Sequence, residues 1–88
     1  MRTGKTKSGF EFEIEESALD NMELIDALAE IDDGNAAAIT KVSKLLFGNE
    51  QRKRIYDHIR TQDGNVPISA FTQEVLEIFS NLKEGKNS

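Results

Sequence analysis

From Phe10 to Glu15 the sequence alternates without exception, Phe10, Phe12 and Ile14 being interleaved with Glu11, Glu13 and Glu15. Successive side chains of a strand point to opposite faces, so this run carries three large apolar groups on one side and three carboxylates on the other. A helix has no use for that period, and a buried face fixes the register of such a strand, because a slip by one residue would expose the whole apolar set. Lys7, Ser8 and Gly9 stand just before it. Their types suit a tight turn with Ser8 and Gly9 at its centre, which folds Thr3 to Lys7 back alongside as the second strand of a hairpin. That returning segment is polar and brings no large apolar side chain of its own.

From Asp20 onward the period becomes that of a helix. Asp20 reads as an N-cap, Glu23 three residues later completes a capping box, and Leu19 faces Leu24 as a hydrophobic staple. Leu24, Ile25, Ala27, Leu28 and Ile31 then share one side, while Glu23, Asp26, Glu30 and Asp33 form a carboxylate stripe on the other. Gly34 is the expected stop, and Asn35 the cap of a second helix that runs to Phe47 and Gly48. Asn49 opens a third, with Ile55, Tyr56 and Ile59 beside Arg52, Lys53, Arg54 and Arg60, as far as the turn at Asp63, Gly64 and Asn65. Pro67 suits the first turn of the last helix, where its missing N–H costs nothing. The expected helices lie near residues 20 to 33, 36 to 47, 50 to 61 and 67 to 83, after a strand or hairpin region over 1 to 16 and before a frayed tail over 84 to 88. The fold class predicted is α+β, mainly α, in one domain of 88 residues, since 25 large apolar residues besides the initiator suffice for a single core.

The last helix carries more apolar residues than one neighbour covers. Ile68, Phe71, Val75, Leu76, Ile78, Phe79 and Leu82 spread over roughly 160° of its circumference, with Leu76 and Ile78 at the edges, against the ~100° stripe of a helix lying on one surface. Two arrangements satisfy that pattern. Either the other elements enclose the helix, or part of its face binds a protein partner or a second copy of the chain.

Charge falls in blocks. Residues 11 to 33 contain ten acids and no Lys or Arg, whereas residues 34 to 60 contain six bases and two acids, within a net charge of −5. The acidic stretch reads as a solvated face or as a docking surface for a basic segment. The chain has no cysteine, which removes disulfides, thiol chemistry and Cys-ligated metals, and fits a cytoplasmic protein. No apolar run is long enough for a membrane span, and Met1 to Phe10 lacks the apolar stretch of a signal peptide.

Catalytic signatures are not found. His58 is the only histidine and has no triad or metal-ligand spacing around it. The two Asp-Gly turns fail as calcium loops, because the positions a ligand would need are Ala29 and Ile59. Gly-rich phosphate loops and dinucleotide fingerprints are likewise missing, so no cofactor, no metal and no enzymatic activity are expected. One nucleic-acid reading stands as the alternative. The second and third helices, joined through Phe47, Gly48 and Asn49, have the form of a helix-turn-helix, with Arg52, Lys53 and Arg54 early on the second arm. Against it stand Glu50 and Asp57 on the same helix and an acidic chain overall, so nucleic acid is not the expected partner.

The opening Thr6-Lys7-Ser8-Gly9-Phe10-Glu11-Phe12-Glu13-Ile14-Glu15, followed by the helix Asp20-Asn21-Met22-Glu23-Leu24-Ile25-Asp26-Ala27-Leu28, resembles the start of small tail assembly chaperones of long-tailed phages and prophages. The Val66-Pro67-Ile68 entry into an apolar-rich acidic helix is similar as well. The resemblance implies a non-enzymatic protein of the bacterial host cytoplasm. It would bind the long tape measure protein and keep it soluble until the tail tube polymerises around it. It assigns no individual functional residues.

Overall fold

Thr6 to Phe10 turn the chain back on itself. The Gly9 N–H donates to the Thr6 carbonyl at 2.9 Å, the Thr6 N–H to the Phe10 carbonyl at 2.9 Å, and the Phe10 N–H to Thr6 Oγ1 at 3.1 Å. Lys7 and Ser8 are therefore the central turn residues, one position earlier than expected. Gly9 supplies the positive φ, +96°, that closes a three-residue hairpin loop and that a side chain would strain. In this computed structural model, which describes residues 1–84, the loop joins β1 (Arg2–Lys5) to β2 (Glu11–Ile14) in an antiparallel pair. Arg2 faces Ile14, Gly4 faces Phe12, and Lys5 faces Glu11.

This register explains how a polar strand can pair with an apolar one. Phe10, Phe12 and Ile14 are buried, as the alternation requires. Gly4 makes room for the Phe12 ring: a Cβ there would stand 2.6 Å from Phe12 Cζ. Arg2 crosses to the far end of the chain, where its Nη2 donates to the Leu82 carbonyl at 2.6 Å, satisfying one of the open acceptors in the last turns of a helix.

Next comes a short helix that the sequence pattern did not announce, α1 (Glu16–Leu19). It displaces the following start signal. Asp20 closes α1, donating its N–H to Glu16, and Asn21 takes over as the N-cap of α2 (Met22–Asp32), its side chain accepting from the Glu23 N–H at 2.9 Å. The expected capping box between Asp20 and Glu23 does not form, because Asn21 already occupies that N–H. The stop at Gly34 is as expected. Gly34, at φ +102°, donates to Ile31, and Asn35 donates to Glu30, the paired bonds of a Schellman motif. Asn35 is thus spent on ending α2 and does not cap the next helix, whose first flanking residue is Ala37 with no side-chain cap.

The second and third expected helices follow one another directly as the two arms of α3 (Ala38–Ile59), separated at Gly48. With φ 72° and ψ 179°, Gly48 occupies a region open essentially to glycine alone, so the break expected there is present as a kink. Two side chains secure the second arm. Arg52 Nε reaches across the kink to Ser43 Oγ at 2.9 Å, and its Nη2 donates to the Tyr56 hydroxyl at 2.8 Å. Gln51 meets β2 as a neighbouring strand would, its Oε1 accepting from the Glu13 N–H at 2.8 Å and its Nε2 donating to the Glu13 carbonyl at 2.7 Å.

The last element is α4 (Ile68–Glu84), entered through Pro67, whose carbonyl accepts from the Phe71 N–H. Glu84 belongs to this helix; the rest of the expected tail lies outside the described residues. One core unites β2, α2, both arms of α3 and α4 around Phe12, Ile14, Leu24, Val42, Ile55 and Ile78. The architecture is the α+β, mainly helical arrangement expected, an N-terminal hairpin followed by helices. No helix among the described residues is long and apolar enough to cross a membrane.

Candidate functional site

The polar centre of the molecule is a serine that no sequence spacing marked. Ser8, at the tip of the hairpin loop, donates to Glu74 Oε2 at 2.7 Å and lies 2.9 Å from His58 Nε2 and 3.1 Å from Thr6 Oγ1. A hydroxyl has one proton and two lone pairs. With its proton directed at Glu74, Ser8 keeps two lone pairs, enough for the Thr6 hydroxyl and for His58 in the tautomer that carries its proton on Nε2, and its capacity is then full. The hairpin loop, the second arm of α3 and α4 are thereby joined at one oxygen. The Lys7 N–H adds a second tie to α4, donating to Glu77 Oε2 at 2.7 Å.

A Ser-His-Glu set invites comparison with a hydrolase, and its order is wrong for one. In a catalytic triad the histidine stands between serine and acid and accepts the hydroxyl proton at Nε2. Here the serine stands in the middle and its hydroxyl donates to the Glu74 carboxylate, so that proton is not directed at His58 Nε2. The His58 ring also packs against Phe10, with centroids 5.4 Å apart, which seats it as a wall of the loop. Glu74 is the unusual member. It is 7% exposed, and its second oxygen, Oε1, is buried without a hydrogen-bond partner. The single ion pair among the described residues joins Arg60 to Asp57 at 3.2 Å and leaves Glu74 without a cation.

A signal for Glu74 exists in the sequence. It falls three residues after Phe71 and directly before Val75, on the flank of the apolar face. Taking only apolar residues turns that face part of the way round the helix, toward Leu76 and away from Glu74. The buried arc of α4 takes in Phe71, Glu74, Val75, Ile78 and Leu82, with Phe79 half-buried, and leaves out Leu76, 38% exposed, and Ile68, 78% exposed. Of the seven residues read as a partner face, Phe71, Val75, Ile78 and Leu82 thus face the chain's own core, because the hairpin and α3 already cover them. Ile78 in particular stands in the core and not at an edge.

Ile68 stands at the rim of an apolar cavity. This open depression of about 480 Å³ is lined by Ala36 and Ala37 before α3, Ile39 and Thr40 from its start, Tyr56 from its second arm, and Val66, Ile68 and Phe71 from the entry to α4. Two of the lining rings, Tyr56 and Phe71, meet edge to face at 5.1 Å. The acidic stripe lies elsewhere. Glu23, Asp26 and Asp33 are exposed and Glu30 is half-buried; Glu23, Asp26 and Glu30 border a groove with Lys41 and Leu45 of α3. The basic cluster is split by the packing. Arg52 is consumed within α3 by Ser43 and Tyr56, and Arg54 lies 5.8 Å from the centre of the Phe10 ring, leaving Lys53 and Arg54 exposed. The helix-turn-helix alternative loses its first contact residue to an internal bond.

Among the described residues no three His, Cys, Asp or Glu side chains converge as metal ligands. No protein-family model, curated protein or solved structure matches the chain.

Proposed function

We propose that the chain is a non-enzymatic protein-binding module. On the resemblance of its hairpin and first long helix, we take it to be a tail assembly chaperone that holds a segment of a phage tape measure protein in the bacterial cytoplasm before the tail tube polymerises. The observation that supports this is the apolar cavity beside Ile68. A large aliphatic side chain left 78% exposed at the edge of an apolar depression is the form of a groove that accepts the apolar face of a partner helix. The exposed acids of the stripe, Glu23 and Asp26 on α2 and Asp33 at its end, keep the complex hydrated and apart from its neighbours.

The test is co-expression with a phage tape measure protein, the partner that the resemblance implies. Wild-type chain is expected to hold that protein in the soluble fraction and to co-purify with it. Ile68→Asp alters an exposed site, leaves the circular dichroism spectrum unchanged and weakens the complex about tenfold. Equal solubility of the partner with and without the chain overturns the chaperone reading. A retardation of DNA that weakens steeply with salt and depends on Lys53 and Arg54 would replace it with the regulator reading.

A further inference from the structure

We propose that the groove between the hairpin loop and α4 is a receptor for a single arginine of a partner protein, followed or preceded by an apolar residue. The groove, about 520 Å³, is lined by Lys7, Ser8, Gln73, Glu74, Leu76 and Glu77. Three of these make the case. Glu74 is more than nine-tenths buried, with one oxygen held by Ser8 and the other without a partner. A buried carboxylate left in that state is costly, and a docked cation removes the cost. Glu74 is itself a lining residue, and because the last torsion of a glutamate is broad, rotation about it is the movement by which a docked cation would reach the second oxygen. Glu77 follows three residues later on the same side of α4, fixed by the Lys7 N–H. Leu76 leaves an exposed apolar surface beside the two acids.

Arginine suits this set better than lysine. Its planar fork offers five donors to two carboxylates, it is more weakly hydrated than an ammonium, and its aliphatic stem can lie along Leu76. The site is separate from the apolar cavity at Ile68 and stands or falls independently of it.

The test is a titration of the ¹⁵N-labelled full chain with acetyl-Leu-Arg-Leu amide, followed by NMR. Saturable shifts are expected at the amides of Lys7, Ser8, Glu74 and Glu77. The lysine peptide should bind several-fold more weakly, and the glutamine peptide should leave those amides unmoved. Glu77→Gln, at a half-buried position, should weaken binding about two- to fivefold. Glu74→Gln, equal in shape, should weaken it about tenfold or more. If Glu74→Gln fails to fold, Glu77→Gln decides alone. Ile68→Asp should bind the arginine peptide as the wild type does. The inference is overturned by absence of saturable shifts at these residues, by equal shifts with the glutamine peptide, or by undiminished binding in the folded variants. Concentration-dependent shifts at the same amides without peptide would assign the groove to a second copy of the chain and overturn it as well.

Discussion

Two loops of this chain are built on the same plan and do different things. Thr6-Lys7-Ser8-Gly9-Phe10 and Thr61-Gln62-Asp63-Gly64-Asn65 share three bonds: threonine N–H to the fifth carbonyl, glycine N–H to the threonine carbonyl, and the fifth N–H to the threonine hydroxyl. Both glycines take positive φ, +96° and +92°. Yet the first loop joins two strands and is buried at Thr6, whereas the second is exposed throughout and joins two helices. The flanks account for the difference. Beyond Phe10 the alternating strand continues and finds a core; beyond Asn65 comes Val66 and then Pro67, which has no N–H to extend a ladder. Arg60 closes the second loop from its own side chain, donating to the Gly64 carbonyl at 2.9 Å, while the first is held by residues 50 and 66 positions away, His58 and Glu74. A turn signal therefore specifies a turn, and the neighbouring residues decide whether it becomes a hairpin.

The largest loss is expected at the strand that follows the first loop. Phe12→Ala removes the ring that covers Gly4 and is expected to cost about 3–5 kcal/mol, measured by urea unfolding, which would leave little of a small domain's stability. Truncation at the second loop offers no equivalent, since none of its five residues is buried. Gly4→Ala comes next. The added methyl must displace the Phe12 ring, and a loss of about 1–3 kcal/mol is expected in thermal melts; a neutral result would show that the hairpin can part from the core without cost.

Thr6→Val against Thr61→Val sharpens the contrast, because the same hydroxyl is deleted from the same local bond set. At Thr6 the Phe10 N–H loses its partner in a buried setting, and about 1–2 kcal/mol should be lost; at Thr61 water replaces the hydroxyl, and the change should stay within about 0.5 kcal/mol. Equal values would mean that burial is not what separates the loops. The smallest contrast is expected from Gly9→Ala and Gly64→Ala. Neither added Cβ meets an atom within 4 Å, so each variant should lose about 1 kcal/mol from backbone conformation alone, and by similar amounts.

The interactions that could be read in advance are those spanning a few residues. Alternation at Phe10 to Glu15, the helical period after Asn21, the Gly34 stop and the Gly48 break all depend on neighbours within a turn or two. Local reading failed where two local signals competed. Asp20 and Asn21 are both good caps, and the short helix at Glu16–Leu19 took the first for its own end. Similarly, Asn35 was expected to open a helix and instead closes one. The candidate site was scarcely legible. Ser8, His58 and Glu74 come from three distant segments, and only Glu74, an acid on the flank of an apolar face, left a trace in the pattern.

By itself, the sequence determined the periods, the glycine-dependent turns and the distribution of charge, since these follow from backbone sterics and from spacings of two and 3.6 residues. Tertiary structure alone decided which side of α4 is inside, why a polar strand pairs with an apolar one, and where Arg2, Gln51, Arg52 and Ser8 find their partners. Those choices depend on contacts between residues far apart in the chain. A spacing rule carries no information about such contacts, because the distance between the partners is set only when the core closes.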